Sequence, residues 1–196
     1  MDIKALHRLF LSHPYVFTDS RKVIKNGLFF ALKGDNFNGN KYAESSIEQG
    51  AAFAIVDEFK DHPKCILVNN ALQTLQNLAH YHRIHLGIPI IGITGSNGKT
   101  TTKELLYAVL RKKFKTNATQ GNLNNHIGVP LTLLTMNAST EIGIIEMGAN
   151  HIGEIAFLTR MAEPNFGYIT NFGKAHLEGF GSIEGVIQGK SELYEY

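Results

Sequence analysis

Gly92-Ile93-Thr94-Gly95-Ser96-Asn97-Gly98-Lys99-Thr100-Thr101-Thr102 follows an apolar run, Ile88 to Ile93, and opens a helical pattern. A glycine-rich turn between a strand and a helix is the build of a phosphate-binding loop. Small residues let backbone N–H groups face phosphate oxygens, and the following helix points the positive end of its dipole at them. Lys99 is placed to reach the terminal phosphates and the Thr100 hydroxyl to meet Mg²⁺. The implied ligand is a nucleoside triphosphate. The general pattern G-x-x-x-x-G-K-[ST] asks for glycine where Ile93 stands, with Gly92 one place early. An ordinary glycine turn with an incidental lysine is the competing reading, and the order strand, loop, helix favours phosphate. Within the helix, Leu105, Leu106, Val109 and Leu110 read as a one-sided apolar stripe. Arg111, Lys112 and Lys113 follow where the negative helix end favours cations.

The chain has 196 residues, 43% hydrophobic and 18% charged, which suits a folded globular protein and argues against disorder. Its 19 basic and 17 acidic residues give a net charge of +2 and are spread along the sequence. The one dense basic cluster, Arg111 to Lys115, is accounted for by the helix end, so nothing points to nucleic acid. A single cysteine, Cys65, has apolar neighbours Ile66, Leu67 and Val68 and reads as a buried strand residue in a reducing compartment. The N-terminus lacks the apolar core of a signal peptide, and no run approaches the roughly 20 apolar residues of a membrane span. A cytoplasmic, monomeric protein is expected.

The first part of the chain predicts a small α/β unit. Helices are expected near Asp2 to Leu11 and Tyr42 to Gln49, and strands at Leu28 to Leu32, Ala52 to Val56 and Ile66 to Val68. A longer helix, capped by Asn69 or Asn70, runs to Leu86 and stops at Gly87 with Pro89 beyond, which places a domain boundary there: 1–86 and 87–196. From Ile88 strands and helices alternate: strands at Ile90 to Thr94, Lys115 to Ala118, Ile142 to Met147 and Phe166 to Thr170, with helices to Lys113, from Val129 to Met136, near Gly153 to Met161 and from Ser182. Such alternation predicts a mainly parallel sheet with helices on both faces and ligands beyond the C-terminal strand ends. The fold class is therefore α/β, a small N-terminal domain followed by a phosphate-loop ATPase domain. The sequence stops inside a helix, at Glu195-Tyr196, so the second domain is expected to be incomplete.

Further polar groups fall on the rim of the phosphate loop. Glu146 ends the apolar run Ile142 to Ile145, where Mg²⁺ on a triphosphate would need oxygen ligands. His176 lies in the glycine-broken loop after the next strand, and Lys190 lies in the last helix. Taken singly these read as a solvated strand end, a loop histidine and a surface lysine. Together they suit metal-assisted phosphoryl transfer, where charge on the transferring group must be neutralised as it develops.

Thr94-Gly95-Ser96-Asn97-Gly98-Lys99-Thr100, then Gly121-Asn122-Leu123-Asn124-Asn125-His126-Ile127-Gly128-Val129-Pro130, then Glu146-Met147-Gly148-Ala149-Asn150-His151-Ile152-Gly153-Glu154-Ile155, then Ala175-His176-Leu177-Glu178-Gly179-Phe180-Gly181-Ser182 resemble the Mur ligase family in order and content. Thr18-Asp19-Ser20-Arg21 and Gly27-Leu28-Phe29-Phe30-Ala31-Leu32-Lys33-Gly34 resemble the family's N-terminal, UDP-binding domain. The resemblance extends over essentially the whole chain. It implies an ATP-dependent carbon–nitrogen ligase of peptidoglycan synthesis. The motifs are most similar to those of the member that joins D-alanyl-D-alanine to UDP-N-acetylmuramoyl-tripeptide through an acyl phosphate.

On that resemblance Gly95, Ser96, Asn97, Gly98, Lys99, Thr100 and Thr101 bind ATP, with Lys99 on the β- and γ-phosphates. Thr100 and Glu146 hold one Mg²⁺ and His176 a second. Lys190 carries a CO₂ adduct, a carbamate, whose oxygens are anionic ligands where an ammonium would repel the metal. Asp19, Ser20 and Arg21 meet the uridine or its phosphates, and Asn124 and Asn125 the peptide-bearing substrate or the phosphates. The chain departs from the family's Asp-Gly-His-x-Phe turn, reading Asn38-Gly39-Asn40-Lys41-Tyr42, which leaves that turn out of the expected site. Relatives also carry a C-terminal domain for the amine substrate, so the chain alone is expected to bind and not to ligate. The competing readings are a non-catalytic nucleotide or UDP-sugar binding module, the sister ligase that adds the third amino acid, and folylpolyglutamate synthase.

Overall fold

The computed structural model describes residues 1–174 and 177–196. Its contacts divide into two compact units, Met1–His82 and Arg83–Tyr196, with the division inside a helix, before Gly87.

The first unit opens with helix α1 (Ile3–Ser12), where the Asp2 side chain accepts from the Ala5 N–H at 2.7 Å and caps the first turn. Then come β1 (Val16–Phe17), β2 (Leu28–Phe30), a β3 (Lys33–Gly34) and β4 (Phe37–Asn38) hairpin, and a 3₁₀ turn over Gly39–Tyr42. Helix α2 (Ala43–Glu48), β5 (Phe53–Val56), β6 (Cys65–Leu67) and helix α3 (Ala71–Leu86) follow. The strands form a parallel sheet in the order β1-β2-β5-β6. Phe17, Phe29, Ala31, Ala54 and Val56 pack with Ala43 and Ile47 of α2 as its core. Buried Asn40 stands where the family pattern has histidine. It donates to Asp57 Oδ1 at 2.8 Å and accepts from the N–H groups of Asp57 and Glu58, tying the turn to the end of β5. Its amide is spent on the scaffold. Cys65 corrects an expectation: it is half-buried on an edge strand whose Leu67 is exposed, and burial pushes its thiol pKa up.

The second unit runs β7 (Ile90–Thr94), α4 (Lys99–Leu110), β8 (Thr116–Ala118), α5 (Gly128–Leu133), β9 (Ile142–Glu146), α6 (Glu154–Ala162), β10 (Phe166–Ile169), α7 (Leu177–Phe180) and α8 (Ile183–Ser191). Its sheet is parallel throughout, in the order β10-β7-β9-β8. The chain leaves β7 for β8 on one side and later reaches β10 on the other, so the connections diverge beside β7, the position at which α/β sheets open a crevice for ligands. The register pairs Ile93 with Glu146 and Thr94 with Ile169. Three strand ends therefore deliver the phosphate loop, Glu146 and Thr170-Asn171 to one rim.

Helix α4 does not bury the stripe expected from its leucines. Leu105 and Val109 are 64% and 70% exposed, while Leu106, Tyr107 and Leu110 pack on Ile93, Ala118 and Ile144. The buried face is the i, i+3, i+4, i+7 set that starts at Lys103, a lysine with only 1% of its surface exposed. An aromatic and a lysine stem occupy places that counting aliphatic residues alone assigned to Leu105 and Val109.

Candidate active site

The loop between β7 and α4 is held in shape by the segment after β10. The N–H groups of Ser96 and Asn97 donate to the Asn171 main-chain oxygen at 3.0 Å and to Asn171 Oδ1 at 3.1 Å. Asn171 Nδ2 and Thr170 Oγ1 both donate to Asn97 O, at 3.1 and 2.6 Å, and Ser96 Oγ donates to Gly173 O at 3.0 Å. Gly95, at φ +141°, admits this brace, because a Cβ there would overlap Thr170 Oγ1. Ser96 and Asn97 therefore use their N–H groups on the brace. The N–H groups open to an anion include those of the first turn of α4, where a helix leaves its donors unpaired; among the described residues nothing accepts from those of Gly98, Lys99, Thr100 or Thr101.

Lys99 leaves that turn and folds back, its Nζ donating to Gly95 O at 2.7 Å and Ser96 O at 3.3 Å. Burial lowers its pKa, and the charge of Glu146 opposes the shift, which sets the two groups within electrostatic reach. Glu146, at the end of β9, is 1% exposed. Its Oε1 accepts from Asn124 Nδ2 at 2.9 Å, and its backbone N–H donates to Thr119 Oγ1 at 2.9 Å. Its Oε2 is buried and has no hydrogen-bond partner among the described residues. Such an oxygen carries a desolvation cost unless something positive meets it. Gly148 makes room for this arrangement, since a Cβ there would press within 3.0 Å of Asn124 Oδ1.

Lys190, on α8, is 1% exposed, with its Nζ 5.2 Å from the centre of the Phe180 ring. Burial first, and the charge of Lys99 second, push its pKa down to about 8. Helix α8 is docked by Glu192, whose carboxylate accepts from the Gly153 N–H at 2.6 Å and the Ala156 N–H at 2.8 Å and so caps α6. A cavity of about 570 Å³ opens beside Lys99, lined on its polar side by Asn124, Asn125, His126 and Glu154 and on its apolar side by Ile152 and Phe157.

The structure thus brings Lys99, Glu146, Lys190, Asn124 and Asn125 to one rim of the second unit. Asn124 spends its amide on Glu146, and Asn125 Oδ1 accepts from the Ile127 and Gly128 N–H groups to start α5. Asp19, Ser20 and Arg21 belong to the first unit. There the Asp19 carboxylate takes a forked pair of bonds from Arg21 Nε and Nη2 at 2.8 and 2.9 Å, and the Arg21 side chain projects 86% exposed. His176 lies outside the described residues. Lys103, Thr119, Thr170 and Asn171 were not expected at the site. Thr170 and Asn171 open the glycine-broken loop that carries His176, but nothing in it marks them as a brace, because their contacts, like those of Lys103 and Thr119, join residues distant in sequence.

Divergent strands, a braced loop with an open helix terminus and a carboxylate with a spare buried oxygen thus meet at one rim of a parallel α/β sheet. Models of the Mur ligase middle domain and of the Mur ligase family catalytic domain match residues 93–196 and 15–94, respectively, and the chain belongs to the Mur ligase family. Its similarity to the UDP-N-acetylmuramoyl-tripeptide–D-alanyl-D-alanine ligase of Bacillus subtilis is 44% identity over 91% of this chain and 40% of that protein. The Escherichia coli enzyme of the same name is 39% identical over 91% of this chain and 40% of its own length. Among solved structures, MurF from Acinetobacter baumannii superposes with a TM-score of 0.87 at 37% identity, covering 92% of this chain and 40% of that one. MurF ligase from Thermotoga maritima in complex with ADP gives a TM-score of 0.84 at 34% identity, covering 93% and 43%. The chain spans about 40% of the length of the curated relatives it matches.

Proposed function

We propose that this chain supplies the nucleotide-binding and UDP-precursor-binding parts of an ATP-dependent ligase that joins D-alanyl-D-alanine to UDP-N-acetylmuramoyl-tripeptide in peptidoglycan synthesis. The unpartnered Glu146 Oε2, on the strand end paired with Ile93 just before the phosphate loop and within electrostatic reach of Lys99, carries the reading. An oxygen of that kind fits Mg²⁺, which is commonly bound through one or two carboxylates together with substrate phosphates. Mg²⁺ supplies neutralisation of phosphate charge when bound.

The chain's own residues bind and orient. The first-turn N–H groups of α4 and Lys99 receive the β- and γ-phosphates, Lys99 leaving the carbonyls of Gly95 and Ser96 for stronger, anionic acceptors. Thr100 and Glu146 would hold the metal. Lys190, with a pKa lowered to about 8, has an amine that is neutral often enough to add to CO₂ with release of one N–H proton to solvent, and the resulting carbamate would be an anionic oxygen ligand. The family resemblance adds His176 as a ligand to a second ion. The polar and apolar walls of the cavity beside Lys99 suit the peptide end of the precursor, with its carboxylate turned toward the phosphates. Asp19, Ser20 and Arg21 would receive uridine or its diphosphate in the first unit, Asp19 presenting the Arg21 guanidinium. A monomer in the cytoplasm fits these soluble substrates, and no helix among the described residues is long and apolar enough to cross a membrane.

Calorimetric titration of the purified chain tests the reading. ADP should bind with an affinity that rises with Mg²⁺, and Glu146→Gln should abolish the rise. UDP-N-acetylmuramoyl-tripeptide should bind in preference to the dipeptide precursor. Absence of nucleotide binding refutes the ATP site, and preference for the dipeptide precursor would assign the sister ligase instead.

A further inference from the structure

Lys103 is a lysine with 1% of its surface exposed, one helical turn after Lys99 on the inner face of α4. A buried ammonium is retained only where hydrogen bonds compensate its lost hydration. Its Nζ donates to Thr119 O at 2.7 Å and meets Glu104 Oε1 at 3.0 Å. Glu104 is the next residue in sequence and its side chain is 61% exposed, so its partnership is screened by water. The interior partner is the Thr119 carbonyl.

Thr119 follows the last residue of β8 and is fully buried. Its N–H donates to Ile144 O at 3.0 Å and its Oγ1 accepts from the Glu146 N–H at 2.9 Å, so it grips β9 on both sides of Ile145. Lys103 takes the one main-chain oxygen by which this grip can be held from outside the sheet. A charge-assisted bond of 2.7 Å from a helix to that oxygen fixes the residue after β8 against the strand end that aims Glu146. Asn124 steers one carboxylate oxygen at 2.9 Å, while Thr119 and Lys103 fix the backbone from which the carboxylate leaves.

We propose that Lys103 is a positioning residue for the metal-facing carboxylate, acting through Thr119 on Glu146; this rests on the reading of Glu146 as an Mg²⁺ ligand. A lysine that merely filled the core could be replaced by methionine of similar shape with little consequence. A positioning lysine could not, because groups that orient a metal ligand typically cost about 10- to 100-fold in metal affinity when removed.

The test is ADP binding by the purified chain across an Mg²⁺ titration, with circular dichroism and thermal unfolding as checks on the fold. Lys103→Met and Thr119→Val should each raise the Mg²⁺ concentration at half-effect about 10- to 100-fold, with ADP binding in EDTA unchanged. The double variant should shift no further than the larger single shift, because both residues act along one path. A wild-type Mg²⁺ dependence in Glu146→Gln overturns the metal reading itself and this role with it. A shifted Glu146→Gln beside a folded, unshifted Lys103→Met overturns the role of Lys103 alone. Should Lys103→Met fail to fold, Thr119→Val decides: it keeps the carbonyl that Lys103 binds and loses only the oxygen that Glu146 uses. An unshifted Thr119→Val then refutes the path.

Discussion

Replacing Asn171 with alanine removes both side-chain bonds from the strand β10 exit to Asn97, the 3.1 Å acceptance from its N–H and the 3.1 Å donation to its carbonyl. Three bonds of the brace survive: Ser96 N–H to the main-chain oxygen of residue 171, Thr170 Oγ1 to Asn97 O at 2.6 Å and Ser96 Oγ to Gly173 O at 3.0 Å. The loop should therefore loosen without collapsing. Each lost bond is worth about 0.5–1.5 kcal/mol net, and water competes at this exposed position, which puts the pair at about 1–2 kcal/mol. If the shaped loop is the binding-competent one, that corresponds to ADP affinity weaker by about 5- to 30-fold. Asn171→Asp sharpens the test: it keeps an acceptor for the Asn97 N–H, turns the donor toward Asn97 O into a second acceptor, and sets a negative charge beside the phosphate site. It should bind ADP more weakly than the alanine variant at low salt, and the gap should narrow as salt screens the charge. Calorimetry with MgADP and thermal unfolding without nucleotide measure both effects. ADP affinity within twofold of wild type in Asn171→Ala would refute the claim that the brace shapes the phosphate loop.

Lys99→Ala removes a charge-assisted phosphate contact, and ADP binding should weaken about 10- to 100-fold; wild-type affinity would sink the assignment. Gly95→Ala places a Cβ on Thr170 Oγ1 at a φ of +141°, so the unit should lose about 1–3 kcal/mol of stability, read as a lower unfolding midpoint. An unchanged midpoint would show that the brace yields freely. The side-chain and then the backbone bonds of Arg21 hold the Asp19 pKa at about 2, below its ordinary 3.8. Because the folded value is depressed, the contribution of this pair is present above pH 3.8 and lost as pH falls toward 2; NMR should find Asp19 titrating low, and higher but still below its ordinary value in Arg21→Ala, which keeps the residue-21 N–H that donates to it. With ¹³C-labelled bicarbonate, Lys190 should give a carbamate resonance that fades below about pH 8, where its amine protonates, and that is missing in Lys190→Arg. A resonance that survives the substitution would move the adduct elsewhere.

The sequence by itself determined the strand, loop and helix around Lys99, the parallel α/β alternation and the family resemblance. Each of these is written in consecutive residues: glycines that free the backbone, apolar runs bounded by turns, motifs in a fixed order. The alternation also put Glu146 at a strand end, because an apolar run that stops at a carboxylate marks where the strand stops; that the carboxylate is buried there was decided by the fold. Strand order was decided by tertiary structure, since nothing local states that β9 lies between β7 and β8, and that order is what sets Glu146 opposite Ile93. The same limit explains α4. Leu105 and Val109 look like core residues in the chain, yet the face that meets the sheet is chosen by packing against Ile93, Ala118 and Ile144. Lys103, Thr119 and Asn171 carry no signal of their own, because a hydrogen bond between residues remote in sequence exists only after the fold has brought them together. Which N–H groups remain for a phosphate was likewise settled in space: the loop composition offers all of them, and the brace from β10 takes those of Ser96 and Asn97, leaving that of Gly98 and the first turn of the helix, whose donors have no acceptor within the helix itself.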